Sequence, residues 1–282
     1  MTTATFKKED VLIEALPYIQ QYEGKTFVVK YGGAVMEDDK LKTIIAKDVT
    51  LLKKIGINIV VIHGGGKEIT SLSNRLNLQT KFVNGQRYTD GETLNVVQMV
   101  LAGSINKEIV RRINMYGGRA VGISGIDGEM IKVKKYQKED IGLVGEVIGV
   151  NETLINNLLK DGYLPVIAPL GVDANGTVYN VNADIAAGSI AGAIDAAKLV
   201  YMSDTEGVKI NNELVPHLTE KQIVDFINNG IINGGMIPKV ESALNALNSG
   251  VSKVHIIDGR IEHALLLEIF TEEGIGTEIV RG

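Results

Sequence analysis

The sequence predicts an α/β protein built on a parallel sheet, and two observations carry that reading. Short apolar runs rich in β-branched residues, at Thr26–Val29, Ile59–Ile62, Leu164–Ala168 and Leu199–Met202, have the composition of strands buried on both faces. Between them lie longer stretches with helical apolar spacing. Such alternation implies right-handed crossovers and parallel strand pairing.

Residues 8–22 show one apolar side (Val11, Leu12, Ala15, Ile19) and read as an amphipathic helix. Pro17 lies inside that pattern and should stop the helix near Leu16 or kink it there. Gly24 closes it. The first strand then runs into Lys30 and Gly32-Gly33. Residues 38–55 are helical in spacing (Leu41, Ile44, Ile45, Val49, Leu52) and end at Gly56. The second strand opens IVVIHGGGK (Ile59–Lys67), and KEITSLSNRL behind it reads as a helix. Glycines let a backbone approach a ligand closely, and the free N–H groups of a first helical turn point at it, so an anion suits this place. A plain turn needing positive φ is the alternative.

Residues 92–116 read as one long helix ended by Gly117-Gly118, followed by strand Ala120–Ile123. Alternation within 131–150 suggests a two-stranded excursion. A short helix at 152–160 leads to strand Leu164–Ala168. Gly171–Tyr179 reads as a loop, and the small-residue stretch Ala183–Ala197 as a helix. Strand Leu199–Met202, helices at 219–229 and 238–249 around a glycine loop at 233–235, and strand Val254–Ile257 complete the alternation. The C-terminal segment adds a helix, a glycine turn and a last strand. Repeats and low-complexity linkers are absent, so lobe boundaries are soft. They are placed as an N-terminal helix (1–24) and lobes at 25–190 and 191–282.

At 282 residues the chain holds one large domain or two lobes. Apolar residues make up 45% and charged residues 22%, as in ordinary globular proteins. A net charge of −5 argues against general nucleic-acid binding. With no cysteine there is neither disulfide nor thiolate chemistry, which fits a reducing compartment. The absence of a long apolar run or signal-like start leads us to expect a cytoplasmic protein without membrane spans. His63, His217, His255 and His263 are not spaced as a metal pair.

Several residues could carry chemistry. Lys30, ending a buried strand beside two glycines, can present a compact charge to phosphate or simply reach solvent. Lys239 follows Pro238 at a helix start, where a cation opposes the helix dipole unless an anion is near. Arg87, just after a turn, can clamp a carboxylate. The run NVNAD (Asn180–Asp184) either caps the following helix or faces a ligand. Asp204 lies where open α/β sheets bind ligands, at the carboxyl end of a strand. Neither a P-loop nor a dinucleotide fingerprint nor a nucleophile elbow is present.

The ordered set FVVKYGG, VIHGGGKEI, NGQRYTD, YNVNAD, YMSDTEGV and NGGMIPKVESAL resembles the amino acid kinase family, and within it the members that act on N-acetyl-L-glutamate. The likeness runs from residue 27 to residue 244 and continues in IFTEEGIGT. It implies a three-layer αβα sandwich with a mainly parallel open sheet, N-acetyl-L-glutamate on the N-terminal part, and ATP with Mg²⁺ on the C-terminal part. The implied reaction is ATP-dependent phosphorylation of the side-chain carboxylate, the second step of arginine biosynthesis.

By the same likeness Lys30 and Lys239 stabilise the transition state and Asp184 orients them. Gly33, Gly65 and Gly66 donate N–H groups around the transferring phosphoryl group. Arg87 and Asn180, with Asn182 in the same block, hold the substrate. Ser203, Asp204, Glu206, Gly207, Ile232 and Asn233 fall in the nucleotide-binding blocks. Arginine-inhibited members carry a kinked N-terminal helix that interlaces dimers into a hexamer, and the stretch around Pro17 is similar to it. That similarity implies homo-oligomerisation, L-arginine as an inhibitor, and a pocket involving Tyr18, Lys198, Glu268 and Gly276. Some members in photosynthetic organisms bind the signal protein PII, a partner on which this sequence is silent. A non-catalytic arginine sensor on the same fold is the competing reading.

Overall fold

A computed structural model describes residues 13–271 and 274–282. Residues 8–12 of the predicted N-terminal helix, including Val11 and Leu12, lie outside the described residues. Helical backbone at 13–14 breaks at Ala15, and α1 (Leu16–Tyr22) starts afresh with Pro17 in its first turn, where the missing N–H costs nothing. Tyr18 meets Phe270 edge-on at 6.4 Å and Tyr22 meets Phe27 at 5.1 Å, so α1 packs on its own fold.

The chain continues through β1 (Thr26–Tyr31), α2 (Asp39–Lys54), β2 (Asn58–His63) and α3 (Gly66–Arg75). A hairpin, β3 (Phe82–Val83) and β4 (Gln86–Arg87), precedes α4 (Gly91–Gln98), a π-helix (Met99–Ile105) and α5 (Asn106–Met115). Then come β5 (Ala120–Ser124), β6 (Ile131–Lys135), β7 (Gly145–Val150), α6 (Thr153–Lys160), β8 (Leu164–Ala168), β9 (Leu170–Val172) and β10 (Val178–Asn180). The C-terminal part holds α7 (Ala183–Ala193), β11 (Lys198–Ser203), the hairpin β12 (Lys209–Ile210) and β13 (Glu213–Leu214), and β14 (His217–Thr219). It ends with α8 (Glu220–Asn228), α9 (Ile237–Asn248), β15 (Lys253–Asp258), α10 (Ala264–Phe270) and β16 (Thr277–Val280).

Eight strands form one sheet in the order β14-β16-β15-β11-β1-β2-β8-β5, and only the β15–β16 pairing is antiparallel. Both faces are covered. Phe27, Val29, Ile59 and Val61 pack with residues of α2, α5 and α10, while Val28, Val60 and Ile62 pack with α6, α7 and α9. Alternate residues of each central strand thus feed opposite layers, as a strand period of two requires. The result is a three-layer αβα sandwich. The sheet runs unbroken across residue 190, because β1 pairs with β2 on one side and β11 on the other.

Three elements differ from the sequence expectation. The long helix at 92–116 widens into a π-helix at its centre, which lays Leu101 and Ile105 against Gly65. Gly171–Tyr179 is not a plain loop but carries much of the hairpin β9–β10, turned by Asp173, which accepts from the N–H groups of Asn175 and Thr177 at 2.9 Å. With β6 and β7 this hairpin forms a separate four-stranded sheet. The helix expected to reach Ala197 stops at Ala193, and Asp195 adopts a positive φ of 49°.

Candidate active site

The carboxyl ends of β1, β2, β8 and β11 open on one edge of the main sheet, where open α/β folds bind ligands. β1 delivers Lys30 there, and the first turn of α7 delivers Asp184. Lys30 Nζ stands 2.7 Å from Asp184 Oδ1, an ionic contact rather than an aligned hydrogen bond. Asn182 opens α7 and accepts from the N–H groups of Asp184 and Ile185 at 2.8 and 3.2 Å, so its side chain both caps the helix and lines the cleft.

β2 delivers the glycine turn. Gly65 and Gly66 begin α3, and their N–H groups have no intrahelical acceptor. Both glycines line the cleft with Lys30, Arg87, Asn180, Asn182 and Asp184. Gly33, with φ 67°, lines a neighbouring hollow that shares Gly65, Gly66 and Arg87 with this cleft. The turn is tight from below: a side chain on Gly65 would overlap Ile105 and Leu101. Gly65→Ala is therefore expected to cost about 1–3 kcal/mol of stability through overpacking, measurable as a lowered denaturant midpoint at constant m-value.

Arg87 is 8% exposed, and burial lowers its pKa. One guanidinium nitrogen, Nη2, donates to Gly66 O and Thr70 Oγ1 at 2.7 Å each. The other, Nη1, is buried without a partner. Phe82 lies 4.9 Å under the guanidinium carbon. The arginine is thus locked to the glycine-turn helix by one nitrogen and left with an unmet donor on the other. Asn180 donates to Thr89 Oγ1 at 3.3 Å.

A second cleft is lined by Asp204, Glu206, Gly207, Ile232, Asn233 and Arg260, among others. Ser203 does not line it; its hydroxyl binds Thr205 at the strand end. Lys239 Nζ pairs with Asp204 Oδ1 at 3.0 Å, and this lysine holds the Asp204 carboxyl below its usual range. Each lysine therefore has its own carboxylate. Asp184 serves Lys30, and Asp204, not Asp184, serves Lys239. No group of three or more His, Cys, Asp or Glu side chains suited to a metal occurs among the described residues.

A model of the amino acid kinase family matches residues 25–258. The chain belongs to this family. The acetylglutamate kinase of Chlorobaculum parvum is 55% identical over 271 residues, covering 96% of this chain and 90% of that protein. The acetylglutamate kinase of Aquifex aeolicus is 52% identical over 97% of both chains. Among solved structures, the N-acetylglutamate synthase of Neisseria gonorrhoeae, complexed with coenzyme A and N-acetyl-glutamate, superposes with a TM-score of 0.87 at 26% identity; the match covers 98% of this chain and 64% of that one. Carbamate kinase from Giardia lamblia, at 16% identity and a TM-score of 0.69 over 92% and 99% of the two chains, shares the fold.

Sequence reasoning missed the groups that hold this candidate site in shape. Thr70 fixes Arg87 from one turn into α3, and the i,i+4 spacing from Gly66 was the available signal. His63 is another, since the spacing of the histidines speaks only against a metal pair. It is fully buried, its pKa is pushed down to about 4 by that burial, and it is hydrogen-bonded to Gly64 and Asn106. An unfolded chain takes a proton on this histidine near pH 6.5, whereas the folded one resists until about 4. Stability from this group is therefore lost as pH falls through that window, reaching on the order of 3 kcal/mol at its lower end. Urea titrations of the wild type and of His63→Asn between pH 4 and 7 should show a shallower pH slope for the variant.

The residues proposed for arginine sit at the far end of the sheet. Tyr18, Lys198 and Glu268 line a cleft with Lys253, His255 and Glu278. Gly276 lies behind it, where its N–H donates to Glu268 Oε2 at 3.2 Å. His255 Nδ1 contacts Glu268 Oε1 at 2.6 Å, and Lys198 Nζ stands 3.1 Å from His255 Nε2. Burial pushes the Lys198 ammonium down to about 8.

Proposed function

We propose that the protein transfers the γ-phosphoryl group of MgATP to the side-chain carboxylate of N-acetyl-L-glutamate, giving N-acetyl-L-glutamyl 5-phosphate in the second step of arginine biosynthesis. The observation that carries this reading is Arg87, an inward-facing guanidinium with one buried, unpartnered nitrogen in the cleft that also holds Lys30, Asp184 and the glycine N–H groups. A dicarboxylate fits that arrangement. One carboxylate meets Arg87 and Asn180, and the other points at the glycine turn. The relatives named acetylglutamate kinase support the choice of substrate.

In this reading a carboxylate oxygen attacks the γ-phosphorus, the bond to the β-phosphate oxygen breaks, and ADP leaves with the electron pair. No proton has to move, because the attacking carboxylate is ionised at neutral pH. Two anions must approach, so the barrier is largely repulsion and positioning, and cations with oriented N–H donors supply what is needed. Lys30 and the N–H groups of Gly65 and Gly66 face the transferring group from the first cleft, Gly33 faces it from the neighbouring hollow, and Lys239 faces it from the nucleotide side. Mg²⁺ enters with the nucleotide as part of the substrate. Trapping the product with hydroxylamine tests the reading. Acetylglutamate should give hydroxamate far faster than free glutamate, and equal rates would point to a sister kinase instead.

Feedback by L-arginine at the cleft around Lys198 and His255, at the far end of the sheet, belongs to the same proposal. Its carboxylates, Glu268 and Glu278, suit a guanidinium, and its lysines suit a carboxylate. Light-scattering masses with and without arginine test the implied hexamer, and a dimeric mass in both would refute it.

A further inference from the structure

His63 is a buried imidazole that the proposed chemistry does not use, although it sits directly before the glycine turn. Its surroundings fix its tautomer. Asn106 Oδ1 accepts from Lys107 Nζ at 3.1 Å, so the other end of that amide must be its NH₂. That NH₂ faces Val166 O at 2.9 Å, Ile123 O at 3.2 Å and His63 Nε2 at 3.3 Å. The Gly64 carbonyl can only accept, so the ring hydrogen lies on Nδ1, which donates to Gly64 O at 2.9 Å, and an unprotonated Nε2 faces the NH₂, whose two hydrogens are shared among three acceptors.

The peptide unit is planar and trans, so its C=O and N–H point in opposite directions. Holding the Gly64 carbonyl toward the buried ring turns the N–H of the same peptide, which belongs to Gly65, away from the core. Gly64, Gly65 and Gly66 all line the cleft on that side. The preceding peptide is anchored as well, since Gly64 N donates to Tyr31 O at 2.9 Å. We propose that His63 is a positioning residue that aims the Gly65 N–H at the transferring phosphoryl group, with Asn106 at its other ring nitrogen. The proposal rests on the phosphoryl-transfer reading above.

The rest of the cluster is shaped to this purpose. His63 and Asn106 are both fully buried, where a polar group must be fully partnered or cost stability. Gly122 makes room for them: a side chain there would overlap Asn106 Oδ1 and come within 2.8 Å of Lys107 Nζ. The π-helix ends at Ile105, so the same segment that presses Leu101 and Ile105 on Gly65 presents Asn106 to the ring.

Three substitutions separate the two ring contacts. In His63→Asn the amide nitrogen takes the place of Nδ1 and keeps the Gly64 bond. In His63→Gln the amide oxygen takes the place of Nε2 as acceptor and keeps only the Asn106 side. His63→Leu keeps neither. With hydroxamate formation as the assay, kcat should fall by about 10–100-fold in the Gln and Leu variants, short of the full loss of an oxyanion donor. KM for both substrates should stay within about threefold, and His63→Asn should keep kcat within about threefold of wild type. Wild-type kcat in His63→Leu, or equal losses in the Asn and Gln variants, would overturn the proposal. A wild type that makes no hydroxamate refutes the phosphoryl-transfer reading instead. Should the variants not fold, ¹⁵N NMR of the wild-type imidazole decides: Nδ1–H is expected, and an Nε2–H tautomer contradicts the assignment.

Discussion

Replacing Lys239 with alanine is expected to lower kcat by about 10²–10³-fold while leaving KM for acetylglutamate within a few-fold, the pattern of a group whose interaction grows in the transition state. Lys239 is the cleaner of the two lysines to remove. Its partner Asp204 has a side chain that is 62% exposed and can return to water when the lysine is lost. Lys30 is different, because Asp184 Oδ1 is buried and would be left without its counter-charge. A loss at Lys239 therefore reports on charge stabilisation, whereas a loss at Lys30 mixes in damage to the site. Steady-state kinetics with each substrate varied separately would check this, and an unchanged kcat would remove Lys239 from the mechanism.

Replacing Arg87 with alanine is expected to act on the other parameter, raising KM for acetylglutamate by about 10–100-fold, as loss of one or two charge-assisted hydrogen bonds would. Nη2 is already committed to Gly66 O and Thr70 Oγ1, so the free Nη1 edge is what substrate would gain. Arg87→Lys should be nearly as poor, since a lysine cannot hold Gly66, Thr70 and a carboxylate in one plane or stack on Phe82 in the same way. If the lysine variant binds acetylglutamate normally, a simple charge suffices and the fork geometry has no role. KM for ATP, read in the same assays, should change little in either variant.

Much of the fold was legible because its signals are local. β1, β2, β8 and β11 show as β-branched runs, and glycine turns follow the first two. α2 shows as a periodic stretch capped by Asp38, which accepts from the N–H groups of Lys40 and Leu41. The π-helix was not legible, because its buried Val100, Leu101 and Ile105 fit an α-helical spacing nearly as well. Nor were β9 and β10, whose three residues each are too short to show alternation.

The same division runs through the site. Lys30, Gly65, Gly66 and Asp184 stand beside glycine turns or helix starts that mark them in sequence. Their supports are non-local. His63 and Asn106 are separated by 43 positions, Arg87 and Thr70 by 17, and Lys239 and Asp204 by 35. Nothing in one segment announces a partner in another, and only the sheet brings them together. The pairing of Lys239 with Asp204 rather than Asp184 could be read only once α9 and the end of β11 were placed side by side.

Oxygen labelling tests whether the side-chain carboxylate itself attacks the γ-phosphorus. With both side-chain carboxylate oxygens of N-acetyl-L-glutamate carrying ¹⁸O, direct attack on the γ-phosphorus leaves one labelled oxygen bridging carbon and phosphorus. Hydroxylamine then attacks the carbonyl carbon and releases inorganic phosphate. Phosphate with a single ¹⁸O is expected, in proportion to hydroxamate formed. Phosphate free of label, formed alongside ADP, would show that the side-chain carboxylate is not the acceptor.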